Sequence, residues 1–177
     1  MIQGRRILMV IAPKDFRDEE LFKPKKAFEE AGAQVTIASK GVSVAKGMLG
    51  GTIGVERDLK DVSVGDYDAV VFVGGSGASE YFDDTIALDL AKEAYDKGKI
   101  VGAICIAPVI LANAGILKDK KATVWSSLLN HSHVNALKEK GAIYTGEKIT
   151  KDGMIITASG PDAAELFADA IIKALEE

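Results

Sequence analysis

Three short runs of almost unbroken apolar residues, Arg6-Ile-Leu-Met-Val-Ile-Ala12, Ala69-Val-Val-Phe-Val73 and Ile100-Val-Gly-Ala-Ile104, constrain this chain more than any other feature. A strand with one wet face alternates apolar and polar residues. A run without alternation suits a parallel strand covered on both faces by helices.

Amphipathic stretches separate these runs. Glu20 to Ala31 carries Leu21, Phe22, Ala27, Phe28 and Ala31 at near-helical spacing ahead of Gly32, which completes a first βα unit. Gln34 to Ser39 reads as the next strand. The Gly-rich segment Gly41 to Gly54 has the short alternating stretches of a small hairpin off the main sheet. Further helices are expected from Thr85 to Lys97, from the turn after Ile104 to Ala114, and from Leu128 to Lys140. Short strands are expected at Ala122 to Trp125, Ala142 to Tyr144, Lys148 to Thr150 and Met154 to Ala158, the last two around a Lys151-Asp152-Gly153 turn. Pro161 opens a C-terminal helix with Ala164, Phe167, Ala168, Ile171, Ile172 and Leu175 on one face. This order predicts an α/β fold whose mostly parallel sheet lies between two helix layers, with any site at the C-terminal ends of the strands.

At 177 residues and 47% hydrophobic content, with no Ser/Pro-rich linker, the chain is expected to form one domain over 1–177. A net charge of -4 argues against nucleic acid or an anionic membrane surface as a partner. No signal-peptide pattern and no run of about 18 apolar residues is seen. The single cysteine cannot form an internal disulfide, so a reducing, cytoplasmic compartment is expected. No His/Cys/carboxylate cluster has metal-ligand spacing, and neither metal nor cofactor is expected.

That cysteine, Cys105, stands between the third apolar run and the Pro108-started helix pattern, which is the layout of a nucleophile elbow. Small residues two positions to either side, Ala103 and Ala107, leave room for a sharp strand-to-helix turn. Pro108 suits a first helical turn, and the helix N-terminus is expected to favour a thiolate. Two other loops, Pro13 to Glu20 and Gly74 to Glu80, are expected at the same sheet edge. Gly74, Gly75 and Gly77 let backbone N–H groups approach an oxyanion near Cys105. A phosphate cradle is the competing use of such a turn, but no Gly-x-x-x-x-Gly-Lys-Ser/Thr is present.

Asp18-Glu-Glu20-Leu-Phe-Lys-Pro24, Val73-Gly-Gly-Ser-Gly77, Ala103-Ile-Cys105-Ile-Ala-Pro108 and Thr157-Ala-Ser-Gly160-Pro161 together resemble, in order and spacing, the ThiJ/PfpI superfamily, over essentially the whole chain. The resemblance implies a flavodoxin-like three-layer sandwich with a small hairpin, a nucleophilic cysteine at the elbow, and a glutamate whose carboxyl hydrogen-bonds the sulfur. Glu20 matches that glutamate, with Glu19 and Asp18 as solvated neighbours. Gly75 and the N–H of Ile106, with Gly74 adjacent, match the oxyanion-binding donors. The resemblance also implies a homo-oligomer, a dimer or larger, and a substrate that is a small carbonyl compound or a peptide.

The departures narrow that choice. Protease-like members carry His directly after the cysteine, where Ile106 stands here, and an acid from a neighbouring subunit, where Ser79 falls with Glu80 one residue on. Other members use a His at the position of Trp125. His131 and His133, at i, i+2 of a helical pattern, point apart and read as spectators. Chemistry then rests on Cys105 and Glu20. In an apolar pocket Glu20 stays protonated, donates to the thiolate and shuttles protons, which suffices for thiol addition to an aldehyde or dicarbonyl in glyoxalase- or deglycase-like turnover. The alternatives are an intracellular cysteine peptidase, disfavoured by Ile106, and a stress protein without turnover. The latter would sense oxidants through a Cys105 sulfinate or act as a chaperone-like holdase.

Overall fold

The computed structural model describes residues 1–177. In chain order the elements are β1 (Arg6–Val10), β2 (Lys14–Phe16), α1 (Asp18–Glu30), β3 (Gln34–Ser39), β4 (Val44–Gly47), β5 (Thr52–Gly54), β6 (Arg57–Asp58), β7 (Ala69–Phe72) and α2 (Thr85–Asp96). There follow β8 (Ile100–Ile104), α3 (Pro108–Asn113), β9 (Lys121–Ala122), α4 (Ser132–Glu139), β10 (Ile143–Tyr144), β11 (Ile149–Asp152), β12 (Ile155–Ala158) and α5 (Ala164–Glu176). Single 3-10 turns precede α2 and α5, at Ser76–Tyr81 and Pro161–Ala163.

Seven strands form the main sheet in the order β11-β12-β8-β7-β1-β3-β6. Every neighbouring pair is parallel except β11 with β12. The unalternating apolar runs have the expected cause. Leu8, Val10, Val70, Phe72 and Ala103 face one way and join α2, α3 and α4 in a core of 29 buried residues. Ile7, Met9, Val71 and Ile104 face the other way and join α1 and α5 in a core of 24. With cores of similar size on both faces, the central strands have no wet side and need apolar residues at every position. Each fully buried Leu, Ile or Phe contributes about 1.5–3 kcal/mol of transfer free energy, so these two layers dominate stability. Gly102 sits mid-strand in β8 because Phe167 and Ile171 of α5 come within 3.0 Å of where its Cβ would be.

The Gly41 to Gly54 segment does leave the main sheet: β4 pairs antiparallel with β5 and parallel with β2. Two expectations fail further on. The strand expected over Ala122 to Trp125 is confined to β9, which pairs with β10 alone. Thr123 N–H donates to Thr157 Oγ1, and Trp125 N–H to the Cys105 carbonyl, in place of a ladder. The helix expected from Leu128 starts only at Ser132. Asn130 Oδ1 accepts from the N–H of Ser132 at 3.0 Å and from its Oγ at 2.6 Å, a local arrangement that competes with helix. Leu128 and Leu129 are 94% and 98% exposed, so the apolar pair that mimicked a helix face buries nothing.

In the strand order, β3 lies on one side of β1 and β7 on the other. Chain connections therefore diverge at that point and open a crevice at the C-terminal strand ends, where the loops after β1, β7 and β8 meet.

Candidate active site

Cys105 follows the last residue of β8 with φ at 64°, in the left-handed region that side-chain-bearing residues avoid. Two backbone hydrogen bonds hold it there. Its N–H donates to Ala158 O at 2.9 Å, and its carbonyl accepts from Trp125 N–H at 2.8 Å. Strain fixed from both sides in this way is a mark of functional sites.

Glu20 lies in the first turn of α1 and has no exposed surface. Arg17, at the helix N-cap, ties this turn to the loop after β7 by donating its N–H to Gly74 O at 2.9 Å. Burial raises the Glu20 pKa to about 8, against the opposing pull of the neighbouring Cys105 thiol and of the Arg17 charge. The Gly74 N–H exerts a smaller pull in the same direction. Neither Glu20 carboxyl oxygen has a hydrogen-bond partner, sulfur included, and both are buried beside the Cys105 side chain.

The glycines of the β7 loop make this approach possible. A Cβ on Gly74 would lie 2.5 Å from Cys105 Cβ, Glu20 Oε1 and Ile104 O alike. Gly75 has φ at 104°, and a Cβ there would stand 2.3 Å from the Arg17 nitrogen. Any side chain at either position would drive the carboxyl, the sulfur and the α1 start apart.

Burial also pushes the Cys105 thiol up, to about 12, and the charge of an ionised Glu20 adds to it. The backbone N–H groups of Gly75 and Ile106, next to the sulfur, act the other way. This reverses the expectation that a helix N-terminus would favour the thiolate. The helix α3 has six residues and begins three positions beyond Cys105, whereas the apolar surroundings act on the sulfur directly. At neutral pH Glu20 holds its proton, so its charge is absent and its O–H is available to the sulfur. The two groups titrate as a pair.

A cavity of about 480 Å³ opens over Cys105, Gly75 and Ile106. Glu20 and Gly74 stand behind the sulfur and do not line it. All five residues singled out from the sequence thus meet around one atom, three on the wall and two in support.

Other parts of the wall were not anticipated. Arg17, Met48 and Trp125 line it, and so does His133. His133, read from the sequence as a spectator, thus reaches the wall; it is half-buried and edge-on to Trp125 and Phe82, with ring centroids at 6.0 and 6.1 Å. Burial lowers its pKa, so the imidazole is neutral at pH 7. His131, two residues earlier, is exposed. Ser79 is at the mouth, its Oγ donating to Ser76 O at 3.0 Å.

Asp18 and Glu19 are more than solvated neighbours of Glu20. The Asp18 carboxylate accepts from the N–H groups of Leu49 at 2.9 Å and Gly51 at 2.8 Å, clasping the β4–β5 turn that carries Met48. Glu19 Oε2 accepts from Nε of Arg17 at 3.0 Å and stands 3.0 Å from Nη2 in an ion pair, while its other oxygen is buried without a partner. No three His, Cys, Asp or Glu side chains group closely enough to hold a metal ion, and no helix is long and apolar enough to cross a membrane.

Comparison with known proteins places this arrangement. A protein of Methanocaldococcus jannaschii, itself uncharacterised, is 48% identical over 177 residues, covering 99% of this chain and 85% of the relative. The glutathione-independent glyoxalase DJR-1.2 of Caenorhabditis elegans is 26% identical over 176 residues, covering 99% and 91%. The crystal structure of a ThiJ/PfpI domain protein from Brachyspira murdochii superimposes with a TM-score of 0.93 at 35% identity, covering 98% of each chain, and shares the flavodoxin-like sandwich. The sequence profile of the DJ-1/PfpI family matches residues 5–174, and with that match the chain belongs to the DJ-1/PfpI family.

Proposed function

We propose that the protein is a cysteine-dependent enzyme acting on small reactive aldehydes or dicarbonyls, glyoxalase- or deglycase-like, with Cys105 as nucleophile and Glu20 as proton relay. One observation carries this reading: the Glu20 carboxyl is wholly buried against the Cys105 thiol, with its pKa raised from 4.5 to about 8. An ordinary carboxylate would be ionised at pH 7 and could only accept. A carboxyl kept protonated can deliver a proton to an oxygen as charge develops there. The relationship to a glyoxalase supports the same chemistry.

At pH 7 the resting pair holds both protons; the reactive form is the minor tautomer of the singly protonated pair, with sulfur as thiolate and Glu20 neutral. Sulfur bonds to the aldehyde carbon of a 2-oxoaldehyde while the C=O π electrons move to oxygen. The N–H groups of Gly75 and Ile106 are placed to stabilise that oxyanion. Glu20 protonates it, giving a hemithioacetal, and is left ionised. It then takes the hydrogen from the former aldehyde carbon and returns it to the neighbouring carbon, while the hemithioacetal hydroxyl proton passes to the former ketone oxygen, which converts the hemithioacetal into a 2-hydroxy thioester. Water adds to the thioester carbonyl and the C–S bond breaks. A hydroxy acid leaves, and the pair is again one thiolate and one neutral carboxyl.

The test follows methylglyoxal loss together with lactate formation. Cys105→Ser should abolish both, and Glu20→Gln should slow them by about a hundredfold or more, the usual share of a general acid/base group. Wild type that consumes no dicarbonyl, or Glu20→Gln at full rate, would overturn the reading. A second reading, thiol-dependent peptide hydrolysis, draws on one observation: neutral His133 on the cavity wall supplies an imidazole that Ile106 cannot. Peptide cleavage lost in both Cys105→Ser and His133→Ala would establish it instead.

A further inference from the structure

The chemistry just described, on a neutral dicarbonyl, leaves one group on the cavity wall idle. The guanidinium of Arg17 is the sole permanently charged side chain there, in a lining otherwise dominated by groups such as Met48, Ile106, Trp125 and Pro161. It is held in place from two directions. Its Nε donates to Glu19 Oε2 at 3.0 Å, with Nη2 in ion-pair contact at 3.0 Å, and its backbone N–H is bonded to Gly74 O. Arg17 lines the wall and Glu19 does not, so it is the cationic member of this ion pair that the cavity meets. Nη1 has no protein partner. A planar fork already fixed in orientation, with donors to spare, is suited to a carboxylate or phosphate. Arg17 is also near enough to the sulfur for the two charges to interact. Finally, at about 480 Å³ the cavity falls in the range that holds ligands far larger than a three-carbon dicarbonyl.

The geometry points to a substrate that brings its own anionic group: a 2-oxoaldehyde with a short carboxylate-bearing tail, its aldehyde carbon at Cys105 and its carboxylate on Arg17. This assignment of substrate class rests on the dicarbonyl reading above, and Arg17 is its specificity determinant.

Parallel alkylation of Cys105 by anionic iodoacetate and neutral iodoacetamide tests it. Both reagents form the same S–CH2 bond, expel iodide and need the same thiolate. The ratio of the two rates therefore cancels any change in thiol ionisation and reads the access of an anion. Arg17→Gln should lower the iodoacetate-to-iodoacetamide ratio about tenfold or more, as expected for a lost hydrogen bond between charged groups. Glu19→Gln should raise it, because the Arg17 charge is then uncompensated. In the turnover arm, 4,5-dioxopentanoate should exceed methylglyoxal in kcat/KM by about tenfold or more, and Arg17→Gln should shrink that preference mainly through KM. A ratio that moves in neither variant overturns the anion site. A shifted ratio with no dicarbonyl consumed by wild type keeps anion recognition but removes the 2-oxoaldehyde. Turnover with an unshifted ratio keeps the enzyme and removes the role of Arg17.

Discussion

A buried carboxyl that holds its proton to about pH 8 makes folding sensitive to pH at the scale of a single residue. Unfolded, Glu20 ionises near 4.5; folded, near 8. Below about 4.5 both states carry the proton. Between the two values only the folded state does, so stability falls as pH rises, by about 1.4 kcal/mol per pH unit at the steepest. Above about 8 the loss levels off at roughly 4 to 5 kcal/mol. Urea denaturation should therefore show the wild type less stable at pH 8.5 than at pH 5. Glu20→Gln, which cannot ionise, should lose most of that slope and be the more stable protein at pH 8.5. Equal slopes would mean that Glu20 is ionised in the folded protein, which would remove the proton donor from the proposed chemistry. The same residue also shows what a sequence conceals. Glu20 was legible as the acid of the first loop, and as neutral if its pocket is apolar, but the close approach that Gly74 permits is a contact no local pattern encodes.

At the scale of elements, the site depends on a clasp between the start of α1 and the β4–β5 turn. Asp18, at the start of α1, accepts from Leu49 and Gly51 in the β4–β5 turn, 31 and 33 residues away. The turn brings Met48 to the cavity wall, where its Sδ also accepts from Ser76 N–H at 3.4 Å. Both Asp18 bonds are charge-assisted but partly wet, so Asp18→Ala should cost about 1–2 kcal/mol in chemical denaturation. Hydrogen exchange should sharpen the result: the Leu49 and Gly51 amides should lose protection while those of β8 keep theirs. Unchanged exchange at the turn would show that β2 and β4 hold the hairpin without Asp18. The neighbouring segment 123–131 carries a related lesson. Val124 and Trp125 resembled strand residues, yet the Trp125 N–H goes to the carbonyl of the strained Cys105, so this stretch braces the elbow and does not extend a sheet.

For the whole molecule, two cores of comparable size hold one sheet, and the elbow sits where β8 emerges between them. Phe167 of α5 is fully buried and reaches the strand at Gly102, three residues before Cys105. Phe167→Ala should cost about 3–5 kcal/mol, the usual range for emptying such a space. Denaturation monitored by Trp125 fluorescence should lose stability by that amount in a single transition. A much smaller cost would show that α5 collapses onto β8 when the ring is removed. The central strands, the helices between them and the elbow cysteine were determined by the sequence alone. Burial on both faces leaves an unbroken apolar signature in β1, β7 and β8, and a strand-to-helix turn needs small residues and a proline at defined offsets. The cavity wall was decided by tertiary structure. Arg17, Met48 and His133 come from three separate elements whose meeting depends on long-range hydrogen bonds and helix packing. The protonation of Cys105 was decided there too, against the expected thiolate, because desolvation is a property of the finished interior; the protonated Glu20 was expected once an apolar pocket was assumed, but only the fold supplies that pocket.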